Sequence, residues 1–504
     1  MRQFSGEQAR RFVPQDRPDT CWISNGADLL PLVVDLDGTL IKTDLLAETA
    51  SSFLLAQPFR SFKLLVWLAQ GKSVLKARLA QSTPMDAAAL PYNQDLLTWL
   101  QEEKAKGRRI VLATASHRLL ADQVAAHLGL FDDVLTSDDV TNLKAAAKRD
   151  VLVGRYGERG FDYVGDDWAD VPVWQSAAQA HVVSRSARLI GAARAQGNLG
   201  RTLMDGKPTL AAALLKAMRP HQWMKNLLVL IPLLAAHRYG DVTSVLQALL
   251  AFLAFGLTAS SVYLLNDLVD LTDDRHHPRK RQRPFAAGHL GLTAGWLTWP
   301  ALVVLSFALS ILALPWPFTV SLAFYFITTL AYSLRLKQVP MVDVMTLALL
   351  YTMRIIAGAA AIAVPLSFWL LSFSMFIFLS LALVKRYSEL KGASNAEQGG
   401  RLRGRGYDAQ DLSLVAILGG SAGYTAVLVL ALYIQDSHTA ALYASPEFIW
   451  VACPLLLFWV SRVWLITHRG QMHDDPIVFA LKDRVSWGVA ILVAAVFILA
   501  KVVT

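Results

Sequence analysis

One residue separates Asp35 from Asp37 in Asp35-Leu36-Asp37-Gly38-Thr39. Further polar groups follow in Thr114-Ala115-Ser116, in Asn142-Leu143-Lys144 and in Gly165-Asp166-Asp167-Trp168-Ala169-Asp170. A carboxylate can attack phosphorus and form an aspartyl-phosphate, which splits one hard hydrolysis into two easier steps. A second carboxylate close by can protonate the leaving oxygen and later activate water. Further acidic residues complete an oxygen-rich Mg2+ site, while Lys and Thr steady the phosphoryl oxygens. The chemistry these residues suit is cleavage of a phosphate ester.

A different chemistry is written in Asn266-Asp267-Leu268-Val269-Asp270-Leu271-Thr272-Asp273-Asp274. If one helix runs through this stretch, Asp267, Asp270 and Asp274 fall at steps of three and four and span about 60° of one face. Three carboxylates on one stripe repel each other unless a cation lies among them, and a Mg2+-bound diphosphate supplies one. The run that follows, from Arg275 to Pro284, holds Arg279, Lys280 and Arg283 and suits the phosphates. Taken alone, it would read as attraction to lipid headgroups. Arg354 lies eleven residues after Asp343 on nearly the same helix face, about 16 Å deeper. A mid-membrane arginine faces a polar cavity or partner, or else bonds backbone carbonyls in a structural role.

The elements that must hold these groups differ between the two halves. Runs at 32–36, 109–113, 134–136, 162–164 and 181–184 read as buried strands, and helical periodicity between them predicts a parallel α/β sheet. The polar groups follow the first four runs, and active sites of such sheets lie at the carboxyl ends of strands. From 227 onward, apolar stretches of bilayer-spanning length recur. Nine are expected: 223–238, 243–265, 293–313, 317–334, 341–362, 367–385, 412–434, 448–466 and 486–503, preceded by an amphipathic surface segment at 208–219. With the N-terminus inside, the cytoplasmic connections carry sixteen Lys and Arg and the outer ones only Arg238. This predicts an external C-terminus.

Composition agrees with that division. Residues 1–205 hold 24 basic and 24 acidic side chains, whereas 206–504 hold 24 and 15, so the whole net charge of +9 lies in the apolar half. With 54% apolar residues and 17% charged, the chain is neither disordered nor a single soluble enzyme. Two cysteines, Cys21 and Cys453, make no disulfide framework, and the polar N-terminus lacks a signal peptide's apolar core. No nucleic-acid partner is expected. The fold class predicted is multidomain: an α/β domain over 1–205 with a linker at about 190–208, then an all-α polytopic membrane domain over 206–504.

The strand-end groups resemble the haloacid dehalogenase superfamily over roughly 28–190. That resemblance implies a Rossmann-like fold with a small helical cap from about 45 to 100, and a phosphatase activity. Asp35 would be the nucleophile, Asp37 the acid/base, and Thr114 and Lys144 the phosphate holders. Mg2+ would be held by Asp35, Asp37 and Asp166, with Asp170 supporting the lysine or the metal shell.

The pattern NDxxDxxxD followed by basic residues and Arg283-Pro284 resembles the UbiA superfamily of intramembrane prenyltransferases over roughly 210–504. Arg219-Pro220-His221-Gln222-Trp223-Met224-Lys225-Asn226, the run from Tyr332 to Lys337, Asp343, and Met472-His473-Asp474-Asp475-Pro476 resemble its decaprenyl-phosphate phosphoribosyltransferase branch. The second DxxxD of aromatic prenyltransferases is missing, because Leu347 follows Asp343 by four residues. The resemblance implies transfer of phosphoribose from phosphoribosyl diphosphate (PRPP) to a polyprenyl phosphate, with Asp267 and Asp270 catalytic and Asp274 completing the Mg2+ ligands. Lys225, Asn226, Asn266, Arg279, Lys280, Arg283, Tyr332, Lys337, Asp343 and Arg354 would bind substrate or phosphate. Lys225, Lys337 and Arg354 are candidates for the lipid phosphate or for the PRPP phosphates. The 5-phosphate of the product is one a phosphatase could remove. The location implied is the inner (cytoplasmic) membrane, with the N-terminal domain and both sites on the cytoplasmic face. Rival readings are an aromatic prenyltransferase of quinone or haem-O type, and a membrane scaffold or carrier for a phosphatase.

Overall fold

Six strands follow one another as β1 (Leu32–Val34), β2 (Ile110–His117), β3 (Asp133–Ser137), β4 (Asp162–Gly165), β5 (Ala180–Val183) and β6 (Leu199–Leu203). They form one parallel sheet in the order β3-β2-β1-β4-β5-β6. β1 is central: Leu32 is in register with Ile110 on one side and Asp162 on the other. Its three side chains are wholly buried, as an unbroken apolar run between covered faces requires. β6 was not foreseen from sequence. Its middle residues, Gly200, Arg201 and Thr202, are exposed at the sheet edge and leave no apolar run to recognise.

The computed structural model describes residues 29–137, 143–204, 206–395, 406–435, 443–472 and 475–502. Cys21, Asn142, His473, Asp474 and the run Arg401, Arg403, Arg405 lie outside them. The described residues pack as two units. The first is drawn from the described residues within Met1–Leu46, Phe62–Ala88 and Tyr92–Asp205, the second from those within Ala47–Ser61, Ala89–Pro91 and Gly206–Thr504. The expected insertion is helical, with α1 (Leu45–Ala56), α2 (Phe62–Gln70), α3 (Lys72–Ser82) and α4 (Gln94–Ala105). α5 (Arg118–Leu128), α6 (Ala146–Tyr156), α7 (Val171–Ser176) and α8 (Ala187–Arg194) follow. Val33, Phe161, Tyr163 and Trp174 lie in the core of the first unit.

The second unit continues with α9 (Leu210–Met218), a 3₁₀ segment at Pro220–Leu230 that runs into α10 (Ile231–Ala235), and α11 (Val242–Val269). α12 (Leu271–His276), α13 (Leu292–Ala313), α14 (Trp316–Leu334), α15 (Val342–Ala361) and α16 (Phe368–Asn395) come next. The last are α17 (Leu412–Ile434), α18 (Ala452–His468), α19 (Pro476–Lys482) and α20 (Arg484–Val502). Among the described residues, eight helices are long and apolar enough to cross a membrane, and they match the second to ninth expected spans within a few residues at most ends. The first expected span, 223–238, is instead a 3₁₀ segment that passes at Leu230–Ile231 into the short α10, with Pro232 in the first turn of α10. It is nonetheless tightly enclosed: a Cβ on Gly358 of α15 would lie 2.1 Å from the Val229 carbonyl oxygen, and one on Gly256 of α11 would lie 2.7 Å from the Trp223 ring. Irregular backbone is tolerated at membrane depth where protein surrounds it. α11 and α15 are the most enclosed of the eight, 67% and 72% buried against 17% for α13, α14 and α20, so the segments that carry Asp267 and Arg354 are interior ones.

Candidate active sites in the two units

In the first unit, Asp35 and Asp37 leave the carboxyl end of β1. Gly38 lets the turn after them pass close against the residue that follows β4: its φ is +84°, and a Cβ there would lie 2.3 Å from Asp166 Oδ2. A glycine is therefore needed for both conformation and space. Thr39 Oγ1 donates to Asp166 Oδ1 at 2.9 Å. The carboxylates of Asp35, Asp166 and Asp170 each bring an oxygen within 4.8 Å of the others. That is a hard, all-oxygen donor set of the kind a magnesium ion accepts. Asp37 stands outside this cluster. Its Oδ1 accepts from Leu45 N at 2.8 Å, and its Oδ2 from Ser116 Oγ at 2.6 Å and Thr114 Oγ1 at 3.4 Å.

The lysine bound to Asp35 is Lys148, not the expected Lys144. Lys148 Nζ donates to Asp35 Oδ1 at 2.6 Å and to Tyr163 Oη at 2.8 Å, and lies 4.0 Å from Asp170. Tyr163 donates onward to Asp170 at 2.8 Å. The reason is local: α6 begins at Ala146, and Lys148 in its first turn is buried while Lys144, before the helix, is exposed. Both lysines satisfy the spacing along the chain, so only the start of α6 distinguishes them. Burial pushes the Asp35 carboxyl up to about 7 against the pull of Lys148, and pushes Asp37 up to about 6, with Asp44 adding to that rise. A group near 6 is well placed to give and take a proton. Sequence reading also missed Ser116 as a partner of Asp37, and Lys76 of α3, whose Nζ donates to the Ala115 carbonyl at 2.5 Å. Nothing in the spacing around Lys76 signals its role.

In the second unit, α11 ends at Val269 and α12 starts at Leu271, so the acidic stripe is not one uninterrupted helix. Backbone bonds still bridge the break, from Asp270 N to Asn266 O and from Asp274 N to Asp270 O, both 2.8 Å. Asp267 and Asp274 therefore stay on one side, and Arg283 spans them, with Nη1 at 3.1 Å from Asp267 Oδ1 and 2.6 Å from Asp274 Oδ2. Arg219 donates to Asp267 Oδ1 at 2.5 Å. Lys280 lies 3.9 Å from Asp274, and Lys337 lies 3.8 Å from Asp270. Asp267 Oδ2 and Asp274 Oδ1 are buried without a hydrogen-bond partner. These acceptor-only atoms fit a hard cation, although the three carboxylates do not draw as close as the Asp35 group.

A second polar cluster gathers Lys225, Asn226 and Arg354. Lys225 and Lys385 donate to Asp475 Oδ2 at 2.8 and 3.2 Å, and Tyr351 Oη reaches the same oxygen at 3.4 Å. Arg354 donates to Asn226 Oδ1 at 3.0 Å, Tyr325 Oη at 2.9 Å and the Leu350 carbonyl at 2.5 Å. Asp343 stands apart from both groups. It is fully buried, 2.5 Å from Arg386, and accepts from Tyr407 Oη at 2.6 Å. The Arg386 contact is close in distance without the alignment of a hydrogen bond. Arg279 is exposed, while Tyr332 and Asn266 are half-buried. Arg219, Tyr325, Tyr351, Lys385 and Asp475 are the members of these clusters that sequence reading did not assign.

Comparison with known proteins places both halves. The UbiA prenyltransferase family profile matches residues 226–482, and a haloacid dehalogenase-like hydrolase profile matches 32–175. The uncharacterized protein y4nM of Sinorhizobium fredii is 36% identical over 474 residues, 94% of this chain and 91% of that protein. The nodulation protein NoeC of Azorhizobium caulinodans is 39% identical over 272 residues, 53% of this chain and 86% of that one. The decaprenyl-phosphate phosphoribosyltransferase of Mycobacterium tuberculosis is 34% identical over 287 residues, 55% of this chain and 90% of its own. The chain belongs to the UbiA prenyltransferase family, is related to decaprenyl-phosphate phosphoribosyltransferases, and carries an N-terminal haloacid dehalogenase-like hydrolase domain.

Proposed function

We propose that residues 206–504 transfer 5-phosphoribosyl from PRPP to a polyprenyl phosphate, and that residues 1–205 form a phosphatase whose substrate is the 5-phosphate of that product. In the transfer, the bond from ribose C1 to diphosphate breaks as an oxygen of the lipid phosphate bonds to C1. The single observation that carries the reading is the relationship to decaprenyl-phosphate phosphoribosyltransferases. It is supported by the Asp267–Asp274 cluster, whose counter-cations Arg219 and Arg283 suit a departing diphosphate.

Mg2+ is the proposed ion of both sites, held by Asp267, Asp270 and Asp274 in one and by Asp35, Asp166 and Asp170 in the other. When bound it would neutralise charge on the phosphoryl oxygens. Lys225, Lys385 and Arg354 supply the positive charge that an anionic lipid headgroup needs. In the hydrolase site, Asp35 would attack phosphorus and Asp37 would protonate the leaving oxygen. We place the protein in the inner membrane with both sites cytoplasmic, the 3₁₀-to-α segment Pro220–Ala235 making a ninth crossing and the C-terminus outside.

Incubation of membranes with Mg2+, polyprenyl phosphate and PRPP labelled in its ribose tests the transfer. Label should enter lipid with wild type and not with Asp267→Asn. Use of a polyprenyl diphosphate with no incorporation from PRPP would assign the unit to prenyl transfer instead. Label retained as the 5-phosphorylated lipid in Asp35→Asn, but not in wild type, would support the coupled phosphatase step.

A further inference from the structure

α2 is a helix of unusual composition for the surface of a folded domain: Phe62-Lys63-Leu64-Leu65-Val66-Trp67-Leu68-Ala69-Gln70, with no residue buried. Phe62 is 61% exposed, Leu65 71%, Val66 47% and Leu68 52%, and Phe59 in the turn before it is 96% exposed. At roughly 100° per residue, Leu68, Leu65, Ala69, Phe62 and Val66 fill an arc of about 160°. Leu64, Trp67 and Lys63 fall on the opposite side, and all three are half-buried. The helix therefore turns its more apolar face to the outside. Scattered exposed leucines are ordinary, but a continuous apolar face marks an interaction site.

The charge around this face selects the partner. No Asp or Glu occurs from Thr49 to Met85, whereas Arg60, Lys63, Lys72, Lys76 and Arg78 do. Lys76 turns inward to the Ala115 carbonyl. Arg60, Lys72 and Arg78 are exposed, Arg60 and Lys72 at the two ends of the helix. An apolar arc with cations at its margins is the pattern of a helix lying in the headgroup region of an anionic leaflet. The membrane is at hand, because the same chain carries eight helices that can cross it. A folded protein partner would more often present acidic side chains to such a rim, but the depth of apolar exposure at Phe59 and Leu65 has no use there without a matching groove.

We propose that α2, with Phe59, is a monotopic anchor that inserts into the bilayer surface and holds the hydrolase-like unit to the leaflet. This goes beyond the transfer and phosphatase readings and does not depend on either.

Full-length protein in nanodiscs containing anionic lipid tests it, with Cys21→Ser and Cys453→Ser as background. A polarity-sensitive fluorophore is placed at Leu65→Cys and, as a control on an exposed site of the same unit, at Glu102→Cys. The Leu65 label should be blue-shifted, quenched several-fold more by doxyl lipids than the control, and several-fold less by aqueous iodide. Adding Leu68→Glu and Phe62→Glu should return its quenching to that of the control, while the thermal unfolding midpoint stays within about two degrees of the labelled parent; these positions are exposed, so the fold does not need them. Equal quenching of the two labels in lipid overturns the proposal. Self-quenching between labelled copies without lipid quenching also overturns it and gives the face to a second copy of the chain.

Discussion

Lys148 and Asp35 are the clearest case of a pair whose separation would be felt. Both are buried, and removing one partner of a buried ion pair leaves an uncompensated charge, at a cost of about 3–5 kcal/mol. In Lys148→Ala, phosphatase turnover should fall at least about 100-fold, with a lower unfolding temperature. Lys144→Ala, at an exposed position, should stay within a few-fold. Equal losses in steady-state assays would return the phosphate-holding role to Lys144. The two carboxylates make a second prediction. Their protonation is favoured in the folded state, since Asp35 stands at about 7 and Asp37 at about 6 against an ordinary 3.8. The stability each contributes is present below the ordinary value and is lost as pH rises through 6 to 7. In EDTA, thermal unfolding of the hydrolase unit should therefore begin at lower temperature near pH 8 than near pH 5, by a few degrees. Asp35→Asn should flatten that slope, and Mg2+ should raise the midpoint more at the higher pH.

At the scale of elements, the Asp343–Arg386 pair joins α15 to α16, and Tyr407 closes it from the segment before α17. Both charges are fully buried, and Arg386 also pairs with Glu389. This arrangement makes Asp343 a brace between helices, with no carboxylate oxygen turned to the Asp267 cluster. Arg386→Met should lower the unfolding temperature of the detergent-solubilised protein by several degrees. Its transferase KM for the diphosphate donor should change by less than about three-fold once the folded fraction is allowed for, whereas Asp267→Asn should abolish turnover without a comparable loss of stability. A large KM effect from Arg386→Met would return Asp343 to the substrate site. Gly256 and Gly358 act at the same scale, since any side chain there would meet Trp223 or the Val229 carbonyl.

For the whole molecule, the two candidate sites lie in separately packed units. Asp35→Asn should leave transfer of label from PRPP to lipid within about two-fold of wild type, and Asp267→Asn should leave hydrolysis of a soluble phosphate ester equally intact. Loss of both activities in either variant would show that the units do not work independently. The +9 net charge of the membrane half should make binding of an anionic donor weaken with salt, and a KM for PRPP that rises several-fold from low to high ionic strength would register it.

Much of this was readable from residue order. Short apolar runs located five of the six strands, and hydropathy located eight spans, because burial on both faces and immersion in lipid each demand a recognisable run of residue types. Asp35, Asp37, Asp166, Asp267 and Asp274 were legible because their spacing follows strand ends or a helical face. What the chain order left open was which of two equivalent groups turns inward. Lys148 rather than Lys144, the enclosure of Asp343 by Arg386 and Tyr407, the partnership of Lys225 with Asp475, and the 3₁₀ course of the first apolar segment all depend on where helices begin and which neighbours pack against them. Such contacts join residues distant in the chain, and only the tertiary structure brings them within reach.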